Sequence, residues 1–252
     1  MQYIQLICLA LLGLLNPLSV RAYVNINILG TGLFLPYSMG VIGYIKANIP
    51  IRDYKLSGVS GGAWCCLLYA LEDDLSDHDK IWNITVGDPN IKIRIHNNLN
   101  VFQENIERNL KLRYKNVPNK VISKLPLSVI ATHYNNDNCK LQNEKLSCFK
   151  NINDLIDFCL CSSYIPYLSG TLGCREFDNK YYMDGDILRN KKYVDVVSTE
   201  STLSIHRNMW GRKFSLNNYV YADIDTSRQL FKQGWEDTEK HKDLLLKYMK
   251  KM

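Results

Sequence analysis

The 252-residue chain is poor in the features that mark fibrous, disordered or membrane-spanning proteins. Its 14 glycines and 7 prolines are too few, and 46% hydrophobic residues too many, for a collagen-like or disordered chain. No heptads run through it, which excludes a coiled coil. Beyond the N-terminus no stretch of 20 apolar residues occurs, which argues against a polytopic membrane protein. The basic residues are dispersed. Neither an arginine-rich run, a zinc pattern nor an aromatic-interleaved basic motif points to nucleic acid. No EF-hand loop or metal-ligand cluster is present, so no metal and no cofactor are expected.

What is present begins with an apolar run over residues 4–15, followed by the breaker Asn16-Pro17 and then Val20-Arg21-Ala22. This predicts a signal peptide over residues 1–22, cleaved after Ala22, and hence a secreted protein or one held in the ER or vacuolar lumen. An uncleaved anchor or a buried first helix is the alternative. Cleavage removes one of the 31 basic side chains and takes the formal charge from +6 to +5. That excess is compatible with visits to anionic lipid surfaces and does not require them. Of eight cysteines, Cys8 leaves with the signal. Cys139 and Cys148 flank a polar, hairpin-like stretch and are the expected disulfide, whereas Cys65 and Cys66 lie in an apolar run and are expected as buried thiols. Asn83-Ile84-Thr85 is a sequon, a candidate glycan site.

Apolar and polar residues alternate over residues 23–29 up to Gly30, the pattern of a strand running into a turn. A helix is expected over residues 39–47, a short strand over 54–57, and a helix buried on most sides over 61–71. Residues 72–124 are polar, with a surface helix over 102–114. A buried strand is expected over 127–132, a helix over 152–162, a strand over 180–183, and an amphipathic tail over 227–252. No linker or repeat divides the chain, so residues 23–252 read as one domain. Alternating strands and helices imply a three-layer α/β/α fold with a largely parallel central sheet.

The strongest chemical signal is Gly58-Val59-Ser60-Gly61-Gly62, a G-x-S-x-G between a short strand and a buried helix. That setting strains the serine backbone and exposes its hydroxyl at the positive end of the following helix. The bland reading is a glycine-rich N-cap. Gly30-Thr31-Gly32 follows the first strand directly, where successive amides can converge on an anion. Leu35 stands where a dinucleotide fingerprint needs its third glycine. Asp184-Gly185-Asp186 follows a strand, either as part of a site or as an Asx-turn. His206 comes later in the chain and opens a Ser60, Asp184, His206 triad in α/β-hydrolase order. His78 and His96 fall in the polar insert and are expected at the surface.

Together, from Asn25 to about Leu245, these segments resemble the patatin-like phospholipase family, in its animal-type branch. The resemblance is carried by the glycine loop Leu29-Gly30-Thr31-Gly32-Leu33-Phe34-Leu35 with its continuation to Val41, and by the motif at Gly58 to Gly62. Further support comes from Ala131-Thr132, Cys161-Ser162-Ser163-Tyr164-Ile165-Pro166, Met183-Asp184-Gly185 and the run from Phe231 to Asp237. It implies a lipid acyl-ester hydrolase with a Ser60–Asp184 dyad and no histidine. The amides of Thr31, Gly32 and Gly61, with Gly30 in the loop, would form the oxyanion hole. The substrate would be met transiently at a membrane or lipid-droplet surface. Three positions depart from the family pattern. Phe34-Leu35 replaces a basic residue and glycine, and Thr31 replaces a glycine, which requires a negative φ there. A lipid-binding protein that has lost catalysis is the second expectation.

Overall fold

Every second residue from Val24 to Ile28 is buried and the two asparagines between them are half-buried, so β1 forms where the alternation places it. The computed structural model describes residues 23–135, 140–188, 202–215, 218 and 220–250. The expected signal segment, residues 1–22, and Cys139 lie outside them. β1 (Val24–Ile28) leads through a short 3₁₀ turn (Gly32–Phe34) into α1 (Leu35–Asn48), then β2 (Tyr54–Val59) and α2 (Gly61–Leu71). The insert holds α3 (His78–Thr85), β3 (Ile93–Arg94), α4 (Leu99–Tyr114) and α5 (Asn119–Ile122). Then come β4 (Leu127–Asn135), β5 (Lys140–Leu146), α6 (Ile152–Ser162), β6 (Arg175–Phe177) and β7 (Lys180–Met183). β8 (Thr202–Ile205), β9 (Tyr221–Ala222), α7 (Ile224–Lys240) and α8 (Lys242–Lys250) complete the described chain.

The fold is α/β. Four strands, in the order β8, β1, β2, β4, run parallel. β5, β6 and β7 add antiparallel pairings beyond β4. Ile26, Ile28, Leu56, Leu127, Val129, Leu203 and Ile205 share one face of the parallel core and are buried in one cluster with α1, α2 and α6. That placement agrees with right-handed crossovers, because β1 to β2 and β2 to β4 step in the same direction and so put their helices on the same side. The other face carries a row of paired polar residues, Ser204, Asn27, Ser57 and Ser128, all half-buried. Among the described residues the helical layers are therefore unequal, with the apolar side carrying the packed helices.

α1 starts four residues before the expected 39–47 because Pro36 is accommodated in a first turn. It crosses α7 at backbone contact. A Cβ on Gly40 would sit 2.0 Å from the Phe231 carbonyl oxygen, and one on Gly234 would sit 2.1 Å from that of Tyr37. The tail expected as one amphipathic stretch is two helices broken at His241, with Leu230, Phe231 and Leu245 buried and Leu244 58% exposed. The insert is not a polar appendage. Ile81, Trp82, Ile106, Leu110, Tyr114 and Ile122 from it are buried. His78, expected at the surface, is buried between Asp79 and Ser227, while His96 is exposed. Between the two flanking cysteines, residues 140–146 form one strand paired along β4, not a hairpin of their own. Its ends, Lys140 and Leu146, are about 20 Å apart at strand rise. Cys65 and Cys66 are fully buried, and burial pushes both thiols up.

Candidate active site

The register of β4 decides the site. β5 occupies one edge of β4 from Val129 to Asn135, so β2 and β7 must share the opposite edge. β2 arrives parallel, pairing Val59 with Ile130, and β7 arrives antiparallel, pairing Met183 with Thr132. The next residue of each strand, Ser60 or Asp184, falls opposite Ala131. Two strands running head-on along one edge thus bring together side chains 124 positions apart. Ser60 Oγ donates to Asp184 Oδ2 at 2.6 Å, and both residues are buried.

Ser60 holds φ 54° and ψ −129°, a region that costs an L-residue on the order of 1–3 kcal/mol. Its surroundings enforce the strain. The Ser60 amide donates to Ser162 Oγ at 2.8 Å, and that hydroxyl in turn donates to the Ile130 carbonyl at 2.5 Å. Gly62 lets the turn close, since a Cβ there would lie 2.1 Å from the Ile28 carbonyl oxygen. A Cβ on Gly58 would likewise meet the α2 backbone, 2.6 Å from the Gly62 oxygen. Asp184 is fixed by its own amide donating to Tyr164 O at 2.7 Å and by the Asp186 amide donating to its Oδ1 at 2.8 Å. Gly185 donates to Ser162 O at 2.9 Å and packs on Ile130 and Val59. Burial pushes the Asp184 carboxyl up to about 6, although the bonds from Ser60 and the Asp186 amide oppose the rise.

The glycine loop lies beside this pair. Thr31 has φ −110°, as a β-branched residue there requires, and Gly32 has φ +52°. A right-handed residue followed by a left-handed one turns successive amides toward a common point, an anion-binding nest. A Cβ on Gly61 would lie 3.5 Å from the Gly32 amide nitrogen, so the nest and the first turn of α2 are neighbours. The first amides of a helix have no acceptor within it. Thr31 Oγ1 is buried without a hydrogen-bond partner and would meet a Cβ on Gly61 at 2.1 Å, so any larger residue there would displace the Thr31 side chain. Gly30 faces Asp186, whose carboxyl carbon would be 2.7 Å from an added Cβ.

His206 follows β8, and its Nδ1 accepts from the Asn208 amide at 3.2 Å. The Ser60 hydroxyl is engaged by Asp184. Asn83 is exposed on α3, while the sequon's Thr85 is buried and donates to Ile81 O at 2.7 Å. Among the described residues no group of three metal-ligating side chains occurs, and no helix is long and apolar enough to cross a membrane. Motif reading misses the part played by Ser162 as the brace between Ser60 and β4. It also misses Ser163, which accepts from Trp64 Nε1 at 3.1 Å and whose carbonyl accepts from Gln103 at 2.7 Å. The paired serines at the end of α6 were the signal for both.

No protein-family model and no curated protein matches the chain. Among solved structures it is similar to VipD from Legionella pneumophila, at 13% identity and a TM-score of 0.42, covering 74% of this chain and 50% of that one. It is also similar to the heterodimeric ExoU–SpcU complex of the Pseudomonas aeruginosa type III secretion system, at 12% identity and a TM-score of 0.40, covering 89% and 52%. The chain spans about half the length of these structures.

Proposed function

We propose that this chain is a serine acyl-ester hydrolase of patatin-like type, acting on lipid acyl esters through Ser60 and Asp184. The observation that carries the reading is the 2.6 Å bond from a strained serine hydroxyl to a buried carboxylate. Asp184 accepts the Ser60 proton as Oγ attacks the acyl carbonyl carbon. The carbonyl oxygen takes up the charge between the Gly32 and Gly61 amides. Asp184 then returns the proton to the leaving alcohol, and an acyl-serine remains. Water, deprotonated by the same carboxylate, releases the acid and restores Ser60. A carboxylate is a weak base for an alcohol, and burial narrows the mismatch by raising its pKa. Each oxyanion donor is worth about 3 kcal/mol in comparable sites. The motif order along the chain supports the patatin-like assignment, and the lipid substrate follows from that resemblance.

The test is capture by a small fluorophosphonate together with ester hydrolysis. The wild-type protein should be labelled at Ser60 and hydrolyse acyl esters. Ser60→Ala should lose both, and His206→Ala should keep most of both. Equal loss in the two variants would replace the dyad by a Ser-His-Asp triad. Lipid binding without capture in the wild type would leave a catalytically inactive lipid-binding protein.

A further inference from the structure

Two segments beyond the carboxyl ends of the parallel strands flank the Ser60–Asp184 pair. One, residues 164–173, leaves α6 beside the serine turn, and the Asp184 amide donates to the Tyr164 carbonyl at its root. The other, residues 206–214, follows β8, which pairs with β1 up to the start of the glycine loop. It lies against that loop, with the Arg207 guanidinium 5.4 Å and the Phe214 ring 4.7 Å from the Phe34 ring.

The first segment displays apolar side chains on a fixed frame. No acidic or basic residue occurs between Asp157 and Arg175. Tyr167 is 76% exposed and Leu172 67%. Ile187, whose amide donates to the Asp184 carbonyl at 3.2 Å, is also exposed. The loop closes on itself. Tyr164 Oη donates to the Leu172 carbonyl at 2.8 Å, and the Ile165 amide donates to Ser169 Oγ at 2.9 Å. Tyr167 holds φ 63°. Of the other described non-glycine residues at positive φ, Ser60 is the proposed nucleophile, while Asp178 and Asn179 make the turn between β6 and β7. Asp and Asn adopt that region readily, and a bulky side chain is strained there. Tyr167 bears that strain with its ring in water, where packing returns little.

The second segment is basic. It holds Arg207, Arg212 and Lys213, and no acidic residue occurs from Thr202 to Ala222. Asp237 binds Arg212, while Lys213 is exposed. Uncharged apolar side chains on one flank and cations on the other match an anionic lipid surface. The head-group boundary takes up the apolar side chains, and the phosphates attract the cations. A phenol fits that depth, with its ring in the apolar layer and its hydroxyl among the head groups. Size argues against a protein partner, because these few exposed side chains fall short of the roughly 800 Å² per partner that a stable interface buries. We propose that residues 164–173, with Lys213 on the other flank, dock the protein on an anionic lipid surface and so bring an ester to Ser60. The choice of lipid rests on the hydrolase reading.

The full chain, carrying Ser60→Ala so that lipid stays intact, is mixed with phosphatidylcholine vesicles with or without phosphatidylserine. Sedimentation gives the affinity, and amide hydrogen exchange locates the contact. Vesicles containing phosphatidylserine should slow exchange over residues 164–173 and 206–214. Tyr167→Gly, which accepts the positive φ, should keep or raise Tm, and combined with Leu172→Ser it should abolish the protection and weaken binding about tenfold. Lys213→Glu should weaken binding to phosphatidylserine vesicles alone. With Ser60 restored, these variants should hydrolyse p-nitrophenyl acetate at the wild-type rate. Protection confined to residues 4–15, or equal protection of residues 164–173 in parent and double variant, would overturn the inference. So would protection of that loop that grows with protein concentration and needs no vesicles, which would assign the face to a second copy. Fluorophosphonate capture of Ser60 without vesicle protection would remove the docking face and leave the hydrolase reading. Vesicle protection without capture would leave the docking face on a protein that binds lipid and does not hydrolyse it.

Discussion

At the scale of single residues, Asp184 meets two opposed demands. As the base of the proposed mechanism it must be ionised, and as a buried carboxyl it resists ionisation. Burial places its pKa at about 6, so the charged, competent form is lost as pH falls through that value. The expected outcome is an acid limb in kcat/KM on a soluble ester, half-maximal near pH 6, with a single-proton slope. An unperturbed imidazole would titrate near 6.5, so the limb alone does not separate carboxylate from histidine. The same limb in His206→Ala does, and its disappearance there would assign the titration to the imidazole. The identities of Ser60 and Asp184 were legible as motifs. Their contact was not, because it depends on the pairing of β4 with both β2 and β7. The brace from Ser162 was equally hidden, since a serine at a helix end usually reads as a terminus feature.

At the scale of elements, the approach of α1 to α7 sets the packing behind the glycine loop. Two glycines face the other helix's backbone reciprocally, and Tyr37 Oη donates to Asp237 at 3.0 Å across the same contact. Gly40→Ala places a methyl against a carbonyl that belongs to a helix backbone and cannot rotate away. The helices must separate, at a cost of about 1–3 kcal/mol. For a chain of this size that is a fall in Tm of about 3–10 °C, readable by calorimetry. An unchanged Tm would mean that the helices adjust freely. Element identities followed from sequence where period and boundary signals agreed: residues 61–71, 152–162 and 180–183 fall at the expected positions. Where composition alone was used, the reading went astray. The insert is polar on average, yet its apolar residues recur on one side of α3 and α4, and burial follows that side rather than the mean.

At the scale of the whole molecule, carboxyl groups pull stability in opposite directions with pH. Burial works against ionisation of Glu72, but bonds from Arg113 at 2.5 and 2.6 Å and from Tyr114 at 2.6 Å outweigh it and hold its pKa down. Asp237, bonded to Arg212 and Tyr37, is lowered in the same way. A depressed folded pKa contributes stability that is present above the unfolded value and lost as pH falls through the folded one. Asp184 has the reverse sign. Its raised pKa contributes stability that is fully present below the unfolded value of about 3.9 and lost as pH rises through about 6. Urea melts should therefore place the stability maximum near pH 5 (about midway between the two regimes), below the activity plateau. In Asp184→Asn the decline between about pH 4 and 7 should shrink by about 3 kcal/mol, at 1.36 kcal/mol per pKa unit. An identical pH dependence in wild type and variant would sink the linkage. Glu72→Ala should cost about 1–3 kcal/mol at pH 7, because the buried Tyr114 hydroxyl loses its partner while the Arg113 guanidinium, partly exposed, turns to water.

The sequence by itself determined the elements with a strong local period, the strained glycine–serine turn, the glycine loop, and the α/β class, because these follow from side-chain alternation and backbone sterics within a few residues. Tertiary structure alone decided that β2 and β7 share one edge of β4, that Ser60 therefore meets Asp184, and that the insert's apolar side is buried. Strand register and helix docking are chosen by contacts between segments far apart in the chain, and no local pattern encodes which of those contacts forms.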